Sequence, residues 1–451
     1  MQGTVRPDAL NRPGPPRPCL NQRRSAIGNI EHRGGSPTAS AIAEPRPASA
    51  RPRLPRTYLI WLTSALASFM GNSVLYFALG WSATAYGGAV AGLVLTAINL
   101  PRAALLLVGG AVGDQLGARR VMISGDAVMF VASLLLAALA YRLGAEPWLL
   151  IATGVLIGIV DAFYLPASGS MPRRIVGKDG LPRALALRQI GTQVVTMGGG
   201  PLGGVLVALV SLAGVALVDA VTFALVLIVL IAIKPSQDVP ASGSKQPVLR
   251  QIADGVRVGF GDAVLRPGLL LIGAAAGFLL PVMPLLLPLL ARDQDWGAGA
   301  TGLVVGAQGI GMVAITLGVL RRGPLGRPGL LAAFGLMTAG AGVLALALVP
   351  SSNAALAAGL VVGLGNGLFS SHISPLIMTV TPDSHLSRIQ ALLTLVQSLP
   401  LLLMNNVLGN LAGQAGVTVT VAVCAIAASI TGLLALVSRP LRTTRVGLDP
   451  A

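Results

Sequence analysis

Charge is what this sequence has least of. Of its 451 residues only 11% are charged and 54% are hydrophobic, against roughly 25% charged in an ordinary soluble domain. A water-soluble fold could not cover its surface with so few charges, which leaves the bilayer as solvent for the remainder. Acidic residues are scarcer still, 16 against 32 basic ones, for a formal charge of +16. The basic residues lie in a tail and in short breaks between apolar runs, not along one solvated face, and that distribution argues against nucleic acid as a partner. Lysine is confined to Lys178, Lys234 and Lys245. The resulting arginine bias points to a GC-rich bacterial source.

Chemistry-bearing residues are equally sparse. Cys19 and Cys424 are the two cysteines, and without a CxxC or Cys/His cluster neither a disulfide framework nor a metal site has support. There is no HExxH, no Gly-Lys-Ser/Thr phosphate loop and no aspartate pair on one helix face, so an enzyme and an ATP-driven pump both lack their machinery. No segment resembles a channel filter. No cofactor and no obligate protein partner are implied.

Long apolar runs are what the chain has in abundance. Residues 1–57 stand apart as a Pro- and Arg-rich tail expected to be disordered. It reads as a dispensable extension or as a binder of anionic lipid headgroups. Helices are expected at 58–84, 89–112, 121–143, 148–169, 184–210 and 212–233, then at 267–291, 301–320, 329–349, 354–376, 389–412 and 417–437. Each is near or above the ~20 residues that span a hydrocarbon core. The expected organisation is a six-helix bundle over 58–233, a central loop over 234–266, a second bundle over 267–437 and a tail over 438–451. Placing both termini in the cytoplasm puts Arg119, Arg120, Arg173, Arg174, Lys178, Arg183, Arg188, Arg321, Arg322, Arg327, Arg388 and the basic residues from Lys234 to Arg266 in inside loops and only Arg142 and Arg292 outside, as the positive-inside rule requires.

The halves echo one another about 210 residues apart. Gly92-Leu-Val recurs as Gly302-Leu-Val, Pro166, expected to end the fourth helix, is matched by Pro375, expected to end the tenth, Met171-Pro172 by Thr381-Pro382, and Arg183 by Arg388. Copies separated by six helices share one membrane orientation, and such parallel repeats hold their substrate at the midplane between the halves.

The segment Gly110-Ala-Val-Gly113-Asp114-Gln-Leu-Gly117-Ala-Arg119-Arg120, placed as a loop between helices two and three, resembles the major facilitator loop motif. Glycines there permit close helix approach and a tight turn. The resemblance implies an all-α fold of twelve transmembrane helices in two six-helix bundles and a cytoplasmic latch between the halves. Gln115 and Ala118 replace arginines usual in that motif, which implies either a weaker latch or one that uses Arg119. Gly158-Ile-Val-Asp161-Ala-Phe163-Tyr-Leu-Pro166-Ala167, Gly200-Pro201-Leu-Gly203-Gly204 and Asp219-Ala-Val-Thr-Phe223 resemble one exporter branch, the transmembrane secretion effectors, with its enterobactin-exporter-like and macrolide-efflux-like members. That likeness implies a multi-pass protein of the bacterial cytoplasmic (inner) membrane that exports small molecules by proton antiport. Many relatives carry an acid in the first helix where this chain has Gly71-Asn72, and asparagine exchanges no proton near neutral pH.

Few ionisable groups lie at membrane depth, where they are costly. Asp161 in the fourth helix and Arg102 in the second lie at similar depth. Asp161 reads either as a proton carrier or as half of a fixed ion pair. His372 in the tenth helix reads either as a proton exchanger or as a hydrogen-bonded packing residue. Asp219 is expected near the outer end of the sixth helix within reach of interface water, and Asp126 is expected to pair with loop arginines. Candidate cavity residues are Asn72, Tyr76, Gln189, Gln193, Gln308, Asn366, Gln397 and Asn405, with packing between helices the bland reading of each. So apolar a cavity suits amphiphilic or lipophilic cargo better than sugars. The rival function is facilitated or uptake transport of a small metabolite without proton coupling.

Overall fold

Twelve crossings arise from eleven long helical stretches. The computed structural model describes residues 54–176, 180–233, 256–322, 326–382 and 385–444, without the side chains of 107, 110, 111, 113–115, 386 and 387. Nearly all of the expected tail, most of the central loop and the last seven residues therefore lie outside the described residues. In chain order the helices are α1 (Arg56–Ala83), α2 (Gly88–Leu116), α3 (Ala118–Leu143), α4 (Pro147–Ile175) and α5 (Leu181–Ala232). They continue with α6 (Leu265–Phe278), a π-helical turn (Val282–Leu286), α7 (Leu287–Asp293), α8 (Ala298–Arg322) and α9 (Pro328–Leu348). The last are α10 (Ser352–Val380), α11 (Leu386–Ala415), α12 (Val417–Val437) and the short α13 (Arg439–Thr443). No strand occurs among the described residues.

Among the described residues, eleven stretches are long and apolar enough to cross a membrane, with α6 through α7 counted as one. One of them, α5, runs for 52 residues. At 1.5 Å per residue it is more than twice as long as a ~30 Å hydrocarbon core. It breaks at Ser211, where φ is 58° and ψ is −178°, so its arms 181–210 and 212–232 each make a crossing. Other reversals use glycine at positive φ, namely Gly87, Gly117, Gly144 and Gly416, where a side chain would be strained. Around the bundle many large apolar side chains are exposed, Leu209, Leu320 and Val437 by more than 70%. Water would penalise that surface and lipid does not.

Three expectations need correction. The motif from Gly110 to Leu116 is not a loop, because α2 continues through it and only Gly117 turns the chain. Pro166 and Pro375 do not end helices; they lie inside α4 and α10, which run on to Ile175 and Val380. The seventh crossing is not one regular helix. Pro281, Pro284 and Pro288 withdraw donors from successive turns, and the chain passes through the π-helical turn between α6 and α7.

Glycine sets the helix spacing. Within the first bundle, a Cβ on Gly158 would strike the Ile98 carbonyl and one on Gly109 the Ala162 carbonyl, which locks α2 against α4. In the second, Gly363 meets the Gln308 carbonyl, which locks α10 against α8 in the equivalent pairing. The repeated Gly-Leu-Val triplets have a different job. Gly92 abuts the Asn405 carbonyl where α2 crosses α11, and Gly302 lies against Gly200 and Gly204 where α8 crosses α5. Both copies serve the seam between the bundles, at the end of the molecule remote from the chain termini.

Candidate functional site

The first bundle holds one buried polar cluster facing the seam. From α1, the Tyr76 hydroxyl donates to Oδ2 of Asp161 on α4. From α2, Arg102 Nη1 stands 3.5 Å from the same oxygen. Arg102 Nη2 also donates to the Asn99 side chain one turn earlier. The arginine side chain is 33% exposed and the aspartate 12%, so the cation is the more open partner. Behind the pair lies a space of about 160 Å³ bordered by Asn72, Tyr164, Ser168 and Arg188. There, Arg188 Nη2 donates to Ser168 Oγ at 3.2 Å.

In front of the pair lies the central cavity, about 500 Å³, walled by both bundles. Phe69, Ser73, Tyr76 and Phe77 come from α1, and Leu95, Ile98, Asn99 and Arg102 from α2. The second bundle adds Met283, Pro284 and Pro288 from the irregular seventh crossing, Val305 from α8, and Leu401 and Asn405 from α11. An adjoining chamber of about 400 Å³ shares Asn99, Arg102, Leu280 and Leu401 and runs along α11 past Gln397, Thr394 and Ala391. It leads towards the end that carries the chain termini. The size suits a small-molecule site.

The opposite end is shut. Arg292, at the end of α7, donates from Nε to Thr84 Oγ1 at 2.6 Å and from Nη2 to the Trp81 carbonyl at 3.0 Å. Its guanidinium also lies 4.6 Å from the centroid of the Trp81 ring. Asn406 Nδ2 on α11 donates to Thr96 Oγ1 on α2 at 2.9 Å. With the glycine crossings, these contacts join the bundles at the end remote from the termini.

The other expected residues scatter. Asn405 is 1% exposed with Oδ1 unpartnered, and Asn72 Oδ1 is likewise unpartnered among the described residues. Asn366 and Gln397 border a separate chamber of about 230 Å³ inside the second bundle. Gln189 is exposed, Gln193 and Gln308 are half-buried, and none of the three borders these spaces. His372 is 1% exposed, with Nδ1 2.9 Å from the Leu368 carbonyl and Nε2 unpartnered, outside all these linings. Asp219 corrects its expectation. It is fully buried instead of open to the interface, and accepts from Ser133 Oγ at 2.8 Å. Asp126 also departs: it is fully buried, 3.5 Å from the Tyr164 hydroxyl, and pairs with no arginine among the described residues.

Of the motif residues, the surroundings of Gly110 and Gly113 and the side chain of Asp114 are not among those described. Arg119 does not bridge the halves. It donates to the Leu230 and Ile231 carbonyls, both at 2.9 Å, and so caps the end of α5 within its own bundle. Arg120, next to Gly117 in the turn, is exposed. Sequence reasoning missed Tyr164 and Ser168 as cavity groups and counted Arg188 and Arg292 only as loop charges. Arg188 falls four residues before Thr192 on the cavity side of α5, a spacing that could have marked it.

A family model described as Major Facilitator Superfamily matches residues 61–405. Among solved structures, the chain is similar to a POT family transporter in complex with 5-aminolevulinic acid, with a TM-score of 0.67 at 12% identity over 86% of this chain and 97% of that one. It is also similar to the nucleoside transporter NupG, with a TM-score of 0.69 at 11% identity over 85% and 99% of the two chains. The POT family transporter PepTSo gives 0.64 at 12% identity over 86% and 98%. At such identities the likeness is one of fold. No curated protein matches the sequence.

Proposed function

The chain belongs to the major facilitator superfamily, as a multi-pass membrane transporter, and we propose that it exports small amphiphilic molecules by alternating access, coupled to protons through Asp161. The observation that carries this reading is the position of the Asp161 carboxylate. It is buried, hydrogen-bonded by Tyr76 and ion-paired with Arg102, and both of those side chains line the two-bundle cavity. A proton exchanged there alters what Arg102 can offer to cargo, and that is the differential interaction alternating access requires. The apolar walls provided by Phe69, Phe77, Leu95, Ile98 and Met283 suit an apolar body.

The export direction, the bacterial inner membrane and the cytoplasmic termini rest on the resemblance of the fourth-helix and loop motifs and on the arginine distribution. In that orientation, the open chamber faces the cytoplasm and the Arg292 seal faces outward. His372 and Asp219 are set aside as carriers, since neither borders the cavities described above.

The test uses proteoliposomes with a pH-sensitive dye and a panel of amphiphilic compounds, with wild type set against Asp161→Asn. Cargo-dependent proton movement in wild type that disappears in the variant is the expected result. Cargo equilibration with no proton movement would leave a facilitator and end the coupling role of Asp161.

A further inference from the structure

The central cavity has a charge of one sign. Of all its lining residues only Arg102 is charged, and Arg102 also borders the adjoining chamber and the space behind it. Asp161 borders only the space behind. Cargo entering the cavity therefore meets the cation first and reaches the carboxylate only past it. Arg102 is also under-used. One Nη2 hydrogen goes to Asn99 and Nη1 faces Asp161 at 3.5 Å, longer than a charge-assisted hydrogen bond. A guanidinium carries five N–H donors in a fork that fits a carboxylate, so most of that capacity remains available.

We infer that the cargo is an amphiphilic acid, a small apolar body with one anionic head, and that this head takes Arg102 from Asp161. The inference rests on the transporter reading above and names its substrate class. Apolar wall and single cation divide the recognition: the body fills the space between α1, α2 and α11, and the head docks on the guanidinium.

Charge balance then fixes the sign of coupling. With the acid bound, two carboxylates face one cation, and a proton taken from solvent onto Asp161 restores neutrality. Tyr76 on α1 and Arg102 on α2 contact Asp161. The space behind is also lined by Tyr164 on its own helix and by Arg188 on α5, whose guanidinium is bonded to Ser168 and forms no ion pair with Asp161, while α3 contributes Asp126 through Tyr164 and an apolar wall at Met129. Tyr76 can donate to the head-group side only by leaving Asp161, so it does not replace the proton. By linkage, acid and proton favour each other's binding. They travel together, which reverses the antiport expected from the sequence and, under an inward proton gradient, turns the export proposed above into uptake, while alternating access with Asp161 as the coupling group is kept.

A matched trio of probes tests this in detergent-solubilised full-length protein: biphenyl-4-carboxylate, the neutral biphenyl-4-carboxamide and the cationic biphenyl-4-methylammonium. Binding is read by calorimetry in weakly buffered solution with a pH dye. The carboxylate is expected to bind about tenfold or more tighter than the amide, with net proton uptake. Arg102→Gln abolishes the preference for acid over amide, and Arg102→Lys retains part of it. Asp161→Asn binds the acid at least as tightly and takes up no proton. Equal binding of acid and amide, preference for the cation, proton release on acid binding, or binding of none of the three overturns the inference. The transporter reading fails separately. Proton release with the cation, lost in Asp161→Asn, would keep that reading and sink this one, whereas proton movement indifferent to Asp161 would sink both.

Discussion

Removing the Arg292 guanidinium should open the end of the molecule that is closed in this structure. In Arg292→Ala three contacts between the bundles disappear together: the bond to Thr84 Oγ1, the bond to the Trp81 carbonyl and the stacking on the Trp81 ring. A hydrogen bond from a charged donor contributes about 1.5–3 kcal/mol, and a cation over an aromatic ring about 0.5–2 kcal/mol. Arg292 is half-open to solvent, so the sum is discounted to about 2 kcal/mol. These contacts bridge the bundles, so their loss is charged to the closed state and not to folding. A difference of about 2 kcal/mol is roughly 30-fold in the equilibrium. A closed-to-open ratio of about 100 would fall to about 3, which lifts the open fraction from about 1% to about 25%. Spin labels at Glu146, half-exposed just before α4, and Asn353, exposed on α10 at that end, would report it by double electron–electron resonance. The background is Cys19→Ser, with Cys424 fully buried and unlabelled. A second, longer distance should grow in Arg292→Ala, and Arg292→Lys, which keeps the charge without the fork, should fall between. An unchanged distance distribution in Arg292→Ala would refute the seal.

Other outcomes follow from the same contacts. Gly158→Ala should lower the thermal midpoint, because its Cβ strikes the Ile98 carbonyl inside one bundle, whereas Gly88→Ala, whose Cβ meets Gly409 across the seam, should shift the open population with a smaller change in midpoint; equal midpoint losses would erase the distinction. Ser211→Gly should stabilise the protein by about 1–3 kcal/mol, since φ 58°, ψ −178° is a region that glycine alone enters freely; a lowered midpoint would show that no strain is stored there. Tyr76→Phe removes one donor to Asp161 and leaves Arg102 in place. It should change cargo-coupled proton movement severalfold while cargo binding to the apolar walls persists, as flux and equilibrium binding measured on one preparation would show.

Much of the architecture was legible in the chain because the bilayer leaves few choices. Apolar runs of about 20 residues must be helical in lipid, and the helices found match twelve expected segments to within a few residues at most ends. The split of residues 184–233 was legible for the same reason, since 52 helical residues cannot fit one crossing and the break falls at Ser211. Prolines misled. Pro166 and Pro375 look like helix ends because proline lacks a donor, yet packed neighbours hold α4 and α10 through them. In the seventh crossing, where three prolines crowd together, the regular helix does give way.

The sequence by itself determined the membrane class, the number of crossings, the internal repeat and the residues able to carry charge at depth. All of these depend on composition and spacing along one chain, and the high cost of unpaired backbone in lipid makes spacing decisive. Only the tertiary structure decided which charged groups meet. Asp161 and Arg102 lie 59 residues apart and Tyr76 is 85 residues from Asp161, so their meeting depends on how α1, α2 and α4 rotate about their axes. That rotation is set by glycine contacts such as Gly109 with Ala162 and Gly158 with Ile98. It also decided what the repeated glycines do. The triplets at Gly92 and Gly302 read as symmetry in the sequence, and only the packing of α2 on α11 and of α8 on α5 makes them the seam that must open. A residue's identity is local, whereas its facing is the outcome of every helix contact around it.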